Sequence, residues 1–169
     1  YTSNPETAVA LADYARSLDG VKMQVHVSET EFEHSECIKR HGMTPAAYLE
    51  KTGIFDVPAV AAHCVYSDDS DLEIFKRKGV TVAANPVSNM KLASGICNVQ
   101  KIIDKGVNLA IGTDSVASNN SLNFFEEIKT LVTGTKVISK DPTAVTPKDA
   151  LRAATYGGAK AQGRLDSGA

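Results

Sequence analysis

Four short apolar segments alternate with capped helical segments, and this alternation constrains the fold more than any other feature. The apolar segments are residues 21–27, 59–65, 80–86 and 107–114. Their first residues are 38, 21 and 27 positions apart, so each connection is long enough to hold a helix that returns the chain to the same edge. The pattern predicts an α/β fold with a parallel sheet.

The predicted helices begin at capping residues and end near glycines, which sets their boundaries. Asn4-Pro5 and Thr146-Pro147 each place a capping side chain before a proline at the first helical position. We predict helices over 5–19, 31–41, 45–52, 69–79, 98–106, 121–132 and 146–163, with loops at 93–98 and 139–145. No GxGxxG or GxxxxGK[ST] motif is present, so the nucleotide-binding motifs are absent. A (β/α) barrel, a part of one, and a doubly wound sheet all remain compatible with this order.

Composition limits the function classes. The chain has 169 residues, is 43% hydrophobic and carries a net charge of −2, which fits one domain or part of a larger one. Without a basic stripe, an apolar run of about 18 residues or a signal peptide, we expect neither nucleic-acid nor membrane partners. Cys37, Cys64 and Cys97 form no CxxC pair, so we expect packing residues in a cytoplasmic protein. Both chain ends are abrupt, and we expect residues 1–169 to be one domain-sized fragment of a longer protein.

Polar residues with catalytic potential follow all four predicted strands. In parallel α/β folds chemistry gathers at the carboxyl ends of the strands. The residues at these positions are His26, Ser28, Glu29, His63, Asn85, Ser88, Asn89, Thr113, Asp114 and Ser115. Imidazole and carboxylate groups without thiolates are typical ligands of a hard or borderline metal. The sequence therefore predicts a metal site at this edge.

The period of a strand predicts which side chains face that site. In the first strand Gln24, His26 and Ser28 share one face, because successive side chains alternate. In the second strand the same rule puts His63 on the face of Ala61, whose small side chain leaves room for a ligand. Each residue also has a plain structural interpretation. A histidine at a strand end is commonly a satisfied, partly buried side chain.

Two of the acidic residues have capping interpretations, and two further histidines have a solvent interpretation. Glu29 could belong to a Ser-x-x-Glu capping box at the start of the next helix. Asp114 could cap the turn that follows it. His34 and His41 lie on a polar helical face and are expected to be solvated. The combination at corresponding strand ends favours a site over these separate interpretations.

Four motifs resemble a known family. "HVSET", "AAHCVY", "NPVSNMKLASGI" and "GTDSVASNNSLNFFEEI", in this order, are similar to the amidohydrolase superfamily. The similarity is greatest to its 5-methylthioadenosine/S-adenosylhomocysteine deaminase group, with chlorohydrolases nearby, and it covers nearly the whole chain. The resemblance implies half of a (β/α)8 TIM barrel, strands five to eight with their helices, without the β-sandwich of the family.

The resemblance also implies roles for individual residues. His26 is expected to be a metal ligand, and Asp114 both a metal ligand and an acceptor of the proton from water. Glu29 is expected to carry a proton and to contact the purine. His63 is expected to polarise the reacting group. One divalent metal is implied, with zinc ahead of iron, manganese or nickel.

The expected substrate is a small purine nucleoside, namely 5-methylthioadenosine, S-adenosylhomocysteine or adenosine, which is hydrolysed to the inosine analogue and ammonia. Ser118 resembles a residue that contacts the ribose or amino-acid tail of the substrate, and Asn89, in the loop beside the pocket, is also expected to contact the substrate. Alternatives are a guanine or cytosine deaminase, a chlorohydrolase-like enzyme, or a non-catalytic α/β binding module.

The family's His-x-His pair is absent from the sequence. A catalytic zinc commonly has three protein ligands, so we expect the fragment alone to bind metal weakly and to lack turnover. A half-barrel also leaves two sheet edges unpaired, and we expect a homo-oligomer that covers them.

Overall fold

A four-stranded parallel sheet organises the chain. The structure, a computed structural model, describes residues 4–167. The strands are β1 (Met23–Val27), β2 (Ala59–His63), β3 (Thr81–Ala84) and β4 (Asn108–Ile111), and they pair in the order of the sequence. The predicted parallel α/β fold is confirmed. The expectation about the chain ends concerns residues 1–3 and 168–169, which lie outside the described part, and it stays a prediction.

Helices connect the strands, and several of them pack their buried side chains against one face of the sheet. They are α1 (Pro5–Ser17), α2 (Glu31–His41), α3 (Pro45–Lys51), α4 (Asp69–Lys78), α5 (Pro86–Lys91), α6 (Val99–Asp104), α7 (Val116–Asn119), α8 (Phe124–Ser139), α9 (Pro147–Arg152) and α10 (Gly158–Ala161). A 3₁₀ turn covers Ile54–Asp56, and a π-helical segment, Ala153–Gly157, joins α9 to α10. Within residues 4–167, no helix combines the length and the apolar character that crossing a membrane requires.

Capping side chains start these helices as the sequence predicts. Asn4 accepts a hydrogen bond from Thr7 N–H at 2.8 Å, and Pro5 follows at the first helical position. Asp68 and Thr146 form reciprocal capping boxes at the starts of α4 and α9. Because each cap satisfies backbone N–H groups that the helix itself leaves unpaired, it fixes where the helix begins.

Three helical features differ from the sequence prediction. Helices α5 and α7 were not predicted, and α8 begins at Phe124 and continues to Ser139 instead of covering 121–132. The longer α8 contains Gly134, and an added Cβ there would lie 3.2 Å from a methyl group of Ile96. Glycine inside α8 therefore permits close packing and does not end the helix.

The two faces of the sheet have different environments. One face is buried under helices: Ala61 and Val82 of the strands and Phe75 of α4 are fully buried there. The opposite face carries His26 and, in register beside it, a row of small side chains: Ala62, Ala83 and Ala110. Because three neighbouring side chains are methyl groups, this face is recessed, and the recess becomes the floor of a cavity.

The sequence predicts packing roles for all three cysteines, and two of them lie in the core. Cys64 and Cys97 are buried in the hydrophobic core, and burial raises the pKa of Cys97 to about 12. Both thiols are therefore neutral near pH 7 and unsuited to metal binding. Cys37 on α2 is half-buried.

Candidate active site

A cavity of about 470 Å³ opens over the alanine row and the carboxyl ends of the strands. Its wall includes His26, His63, Asn85 and Asp114, which come from four different strand ends or the loops that follow them. The parallel order brings these residues together, because all four strands end at the same edge.

Left-handed backbone conformations turn the site residues out of the regular strands. Ser28, His63, Cys64 and Asp114 have φ values of 49°, 73°, 53° and 59°. Non-glycine residues seldom adopt positive φ, and such strain clusters at functional sites. The sequence therefore predicts the second and fourth strands to be longer than they are. β2 ends at His63 and β4 at Ile111, whereas regular pairing was expected to Val65 and Asp114.

His63 lies on the cavity wall because of this backbone turn. Strand alternation placed His63 on the face of Ala61, and this prediction is wrong: Ala61 packs in the core, while His63 lines the cavity. Ser28 likewise does not share the cavity face with His26. It is fully buried, and its hydroxyl lies 3.0 Å from Nδ1 of His34.

Two asparagines hold the His63 ring, which is only 1% exposed. Asn89 Oδ1 lies 2.7 Å from His63 Nδ1, and Asn85 Nδ2 lies 3.3 Å from the same nitrogen. With the Asn89 oxygen as its neighbour, Nδ1 carries the proton and Nε2 offers a lone pair. If the Asn89 amide is rotated so that its NH₂ faces Nδ1, Nδ1 accepts a hydrogen bond and Nε2 carries the proton instead. Because Asn85 Nδ2 is a donor at the same nitrogen, the orientations of the Asn89 and Asn85 amides together determine the tautomer that His63 presents.

His26 and Glu29 surround the other side of the His63 ring. The rings of His26 and His63 stack with centroids 5.1 Å apart and planes 19° apart. Glu29 is 8% exposed, and its Oε2 lies 3.7 Å from Nε2 of His63. Two imidazoles and one carboxylate thus form a compact group at the ends of β1 and β2.

The capping interpretation of Glu29 is wrong. Thr30 is the N-cap of α2 and accepts a hydrogen bond from Glu33 N–H at 3.1 Å. The carboxylate of Glu33 in turn accepts the backbone N–H of Glu29 at 2.8 Å. The capping oxygens come from Thr30 and Glu33, and the carboxylate of Glu29 stays directed toward His63.

The sequence predicts that His34 and His41 are both solvated, and the structure agrees for His41 only. His34 is half-buried and lies within hydrogen-bond distance of Ser28, so its expected solvation is wrong. His41 is exposed, and its ring contacts that of Tyr48, with centroids 4.5 Å apart.

Asp114 is held in place by two donors. Ser88 Oγ donates to Oδ2 at 2.7 Å, and Ser115 N–H donates to Oδ1 at 2.8 Å. Burial opposes ionisation, but these hydrogen bonds, with the nearby His63 and the Ser118 hydroxyl, lower the pKa of Asp114 below its usual value. Asp114 does not cap α7, because Ser115 does. An ionised carboxylate therefore faces the cavity.

The two expected substrate contacts occupy different places. Ser118 is half-buried on α7, and its hydroxyl donates to the carbonyl of Ser115 at 3.1 Å. Asn89 is fully buried behind His63, where it contacts the ring and not the open cavity. This position fits a residue that orients His63, and a direct substrate contact stays a prediction for both residues.

The donor set fits a divalent metal in kind but not in number. His26 and Asp114 line one cavity and supply an imidazole and a carboxylate, the ligand types of a catalytic zinc. Residues 4–167 contain no group of three or more His, Cys, Asp or Glu side chains close enough to hold a metal ion. The described residues therefore offer part of a metal site, which further ligands would have to complete.

Asn85, Ser88 and Gly112 were not assigned roles from the sequence. Asn85 contacts His63, Ser88 holds Asp114, and Gly112 has no Cβ that would collide with the Asn85 amide. A usable signal was present in Asn85-Pro86, which repeats the Asn-Pro helix start of Asn4-Pro5. A helix beginning there turns Ser88 and Asn89 back toward the strand ends.

The parallel half-barrel, with histidine and carboxylate groups at its carboxyl edge, has the architecture of a barrel-type hydrolase. The chain belongs to the amidohydrolase family, whose family model matches residues 1–169.

Several proteins are similar to this chain. The 5-methylthioadenosine/S-adenosylhomocysteine deaminase of Caldanaerobacter subterraneus subsp. tengcongensis is 45% identical over 161 residues, which are 95% of this chain and 37% of that protein. The 5'-deoxyadenosine deaminase of Methanothermobacter thermautotrophicus is 44% identical over 168 residues, 99% of this chain and 39% of that protein. The chain therefore spans less than two fifths of the length of these relatives.

A solved structure supports the fold. An adenosine deaminase from Xanthomonas campestris with bound zinc superposes with a TM-score of 0.94 and 36% identity, over 100% of this chain and 38% of that chain. The superposition confirms the predicted half-barrel.

Proposed function

We propose that the protein containing this chain is a metal-dependent deaminase that hydrolyses a purine nucleoside to its inosine analogue and ammonia. The observation that carries the proposal is the gathering of His26, His63 and Asp114 around one cavity, with the Glu29 carboxylate 3.7 Å from Nε2 of His63. The names of the relatives, deaminases of methylthioadenosine, S-adenosylhomocysteine and 5'-deoxyadenosine, support this substrate class.

His26 and Asp114 would hold the divalent ion together with ligands from outside the described residues. When bound, such an ion lowers the pKa of a coordinated water and makes hydroxide available near neutral pH. Zinc is the first choice, because a similar structure contains it. Iron, manganese and nickel also suit imidazole and carboxylate ligands.

The chain's own residues would move the protons. Asp114 is ionised and faces the cavity, so it can accept a proton from the attacking water. Glu29 can deliver a proton to the ring nitrogen as the amino-bearing carbon is attacked. His63 can stabilise the oxygen that develops charge when its Nε2 carries the proton and donates to that oxygen, which is the tautomer in which the amide NH₂ of Asn89 faces Nδ1.

The test measures ammonia release by the full-length protein. The substrates are 5-methylthioadenosine, S-adenosylhomocysteine, 5'-deoxyadenosine and adenosine, with guanine and cytosine as alternative substrates. A chlorinated triazine is tested separately by chloride release, because its hydrolysis breaks a C–Cl bond and releases no ammonia. We expect the adenine nucleosides to be the preferred substrates, with activity lost on chelation and restored by zinc. Faster turnover of guanine, cytosine or the triazine, or no turnover of any nucleoside, would contradict the proposal.

We further propose that residues 1–169 expressed alone bind zinc weakly and do not turn over. The reason is the absence of a three-donor group among residues 4–167. Stoichiometric zinc after dialysis, or release of ammonia from methylthioadenosine by this polypeptide, would show the proposal to be wrong.

The same polypeptide is proposed to self-associate. Strands β1 and β4 form the two edges of the described sheet, and unpaired strand edges favour pairing between chains. Light scattering at high concentration should therefore detect a dimer or larger species. A monodisperse monomer would contradict this.

A further inference from the structure

A buried carboxylate outside the cavity joins two segments that hold the site. Glu127 on α8 is 1% exposed and has no direct contact with His26, His63 or Asp114 among its hydrogen bonds. Its Oε2 accepts the backbone N–H of Val87 at 3.2 Å, and its Oε1 accepts a hydrogen bond from Asn119 Nδ2. One oxygen thus binds the start of α5, and the other binds the end of α7.

The first of these contacts fixes the helix that carries the partners of the site residues. Val87, Ser88 and Asn89 are consecutive in the first turn of α5. Glu127 holds Val87, Ser88 holds Asp114, and Asn89 holds His63. A shift of α5 would therefore move the partners of Asp114 and His63 together.

The second contact fixes the segment that carries Asp114 itself. Asn119 is 5% exposed, and its Nδ2 also donates to the carbonyl of Thr113 at 2.6 Å. Thr113 directly precedes Asp114 in the chain. The path Glu127–Asn119–Thr113 thus ties the backbone beside Asp114 to the same carboxylate that holds α5.

We infer that Glu127 is a positioning residue: by bridging α5 and the 113–119 segment, it sets the relative placement of His63 and Asp114. This inference rests on the proposed deaminase function for its kinetic readout only.

The chemistry of the bridge requires a carboxylate. Both partners of Glu127, the Val87 N–H and the Asn119 amide NH₂, are donors, so the bridge needs two acceptor oxygens. Burial raises the pKa of Glu127, and the hydrogen bonds from Val87 and Asn119 act in the opposite direction. Glutamine at this position would turn one acceptor into a donor facing another donor, and one contact would be lost.

A second connection between the same segments is exposed and weaker. Lys91 Nζ donates to the Ala117 carbonyl at 2.9 Å and to Asn120 Oδ1 at 2.6 Å. Since Lys91 is exposed, water can replace these contacts. The buried bridge of Glu127 is therefore the connection whose loss should affect the site.

The test compares three variants of the full-length protein with the wild type, for kcat and KM with 5-methylthioadenosine and for the rate at which a chelator removes zinc. In Glu127→Gln we expect kcat to fall about 10-fold to 100-fold, the range for loss of a residue that orients a ligand. The expected KM stays within about threefold, because the bridge does not line the cavity. Zinc removal should accelerate, because Asp114 loses its fixed placement.

Two matched controls separate positioning from stability. Glu126→Gln makes the same chemical change on the neighbouring exposed residue and should leave all three quantities unchanged. Leu131→Ala removes a buried side chain one turn along α8 and should lower the melting temperature without lowering kcat. If Glu127→Gln does not fold, Asn119→Ala takes its place and should show the same combination of effects.

The outcomes are decisive in either direction. Unchanged kcat and zinc removal in Glu127→Gln, or an equal loss of kcat in Leu131→Ala, would overturn the inference. Should the wild type deaminate no nucleoside, the proposed function fails. The inference is then judged on zinc removal alone, which must still accelerate in Glu127→Gln and not in Glu126→Gln.

Discussion

The two ends of the sheet are built in different ways. At the amino end, Gly20, Gly79 and Gly106 end the helices before β1, β3 and β4, with φ values of 70°, 66° and 72° and open space around each. At the carboxyl end, His63 and Asp114 adopt positive φ with large side chains and buried partners. Glycine takes this conformation at no steric cost, whereas histidine and aspartate do not.

The polar interactions of the two ends differ in the same way. Near the amino end, the side chains of ion pairs such as Lys78–Asp56 at 2.8 Å and Arg77–Glu50 at 2.7 Å are partly exposed to solvent. Near the carboxyl end, fully buried polar groups such as Ser88 and Asn89 hold the site residues. The amino end is thus arranged for stability alone, while the carboxyl end retains strain and buried polarity that a function would explain.

The largest expected difference between the two ends of the sheet is in kcat, and it appears when an asparagine at each end is replaced by alanine. Asn89→Ala removes the partner of His63 and should lower kcat of the full-length protein about 10-fold to 100-fold; the loss of this buried hydrogen bond should also cost about 1–3 kcal/mol in the free energy of unfolding. Asn108→Ala removes hydrogen bonds to Thr81 and Gly157 at the start of β4. It should cost about 1–3 kcal/mol in the free energy of unfolding without lowering kcat.

Steady-state kinetics and urea unfolding of both variants provide the measurement. Equal loss of kcat in the two variants would mean that the carboxyl end is no more specialised than the amino end.

An intermediate effect on kcat is expected when a glycine at each end of the sheet is replaced by alanine. In Gly112→Ala the new Cβ would collide with the Asn85 amide beside His63, and we expect kcat to fall about tenfold. The loss is smaller than for Asn89→Ala, because Asn85 is displaced and not removed; a misplacement of about 1 Å costs up to about 100-fold. Gly79→Ala meets nothing within 4 Å but must adopt a φ of 66°.

The Gly79→Ala variant should therefore lose about 1–2 kcal/mol of unfolding free energy and keep its kcat. Full activity in Gly112→Ala would show that Asn85 does not help to hold His63 in its working position.

The smallest effect is expected for an amino-end ion pair. The hydrogen bond from Lys78 lowers the pKa of Asp56; burial acts in the opposite direction, and the charges of Lys78 and Arg16 lower the pKa further. Its stabilisation is therefore present above the unfolded pKa of about 3.9 and is lost as the pH falls through the lower, folded pKa. Asp56→Asn should cost less than about 1 kcal/mol at pH 7.

Urea midpoints at pH 7 and pH 2, in low and in high salt, check this expectation. The difference between wild type and Asp56→Asn should shrink at low pH and in high salt. A difference that grows at pH 2 would contradict the assigned pKa direction.

The sequence predicted the sheet because its signals are local. Capping residues, glycines and apolar periods are properties of a few neighbouring residues, and they placed four strands and most helices correctly. The short α7 has weak local signals, with a serine cap and four helical residues. The start of α5 has a local signal in Asn85-Pro86, but the apolar run before it predicts a strand that continues to Pro86.

Half of the candidate site was also predictable, namely the chain positions of His26, Glu29, His63 and Asp114. The direction of His63 was not, because a period of two assumes regular strand geometry and a φ of 73° breaks it. The role of Glu127 could not be predicted either. Its contacts reach 40 residues back to Val87, and only the packed fold brings α8 and α5 together.

The most direct test of the metal-dependent site is the zinc content of the full-length protein in three forms, measured together with ammonia release. The wild type should hold about one zinc per chain and deaminate the nucleoside. His26→Ala should lose both the zinc and the activity, because a ligand is missing. Glu29→Gln should keep the zinc but lose about 100-fold or more in kcat, because a proton carrier is missing. Full zinc in His26→Ala, or full activity in Glu29→Gln, would contradict the assignment of a metal ligand and a proton carrier to the end of β1.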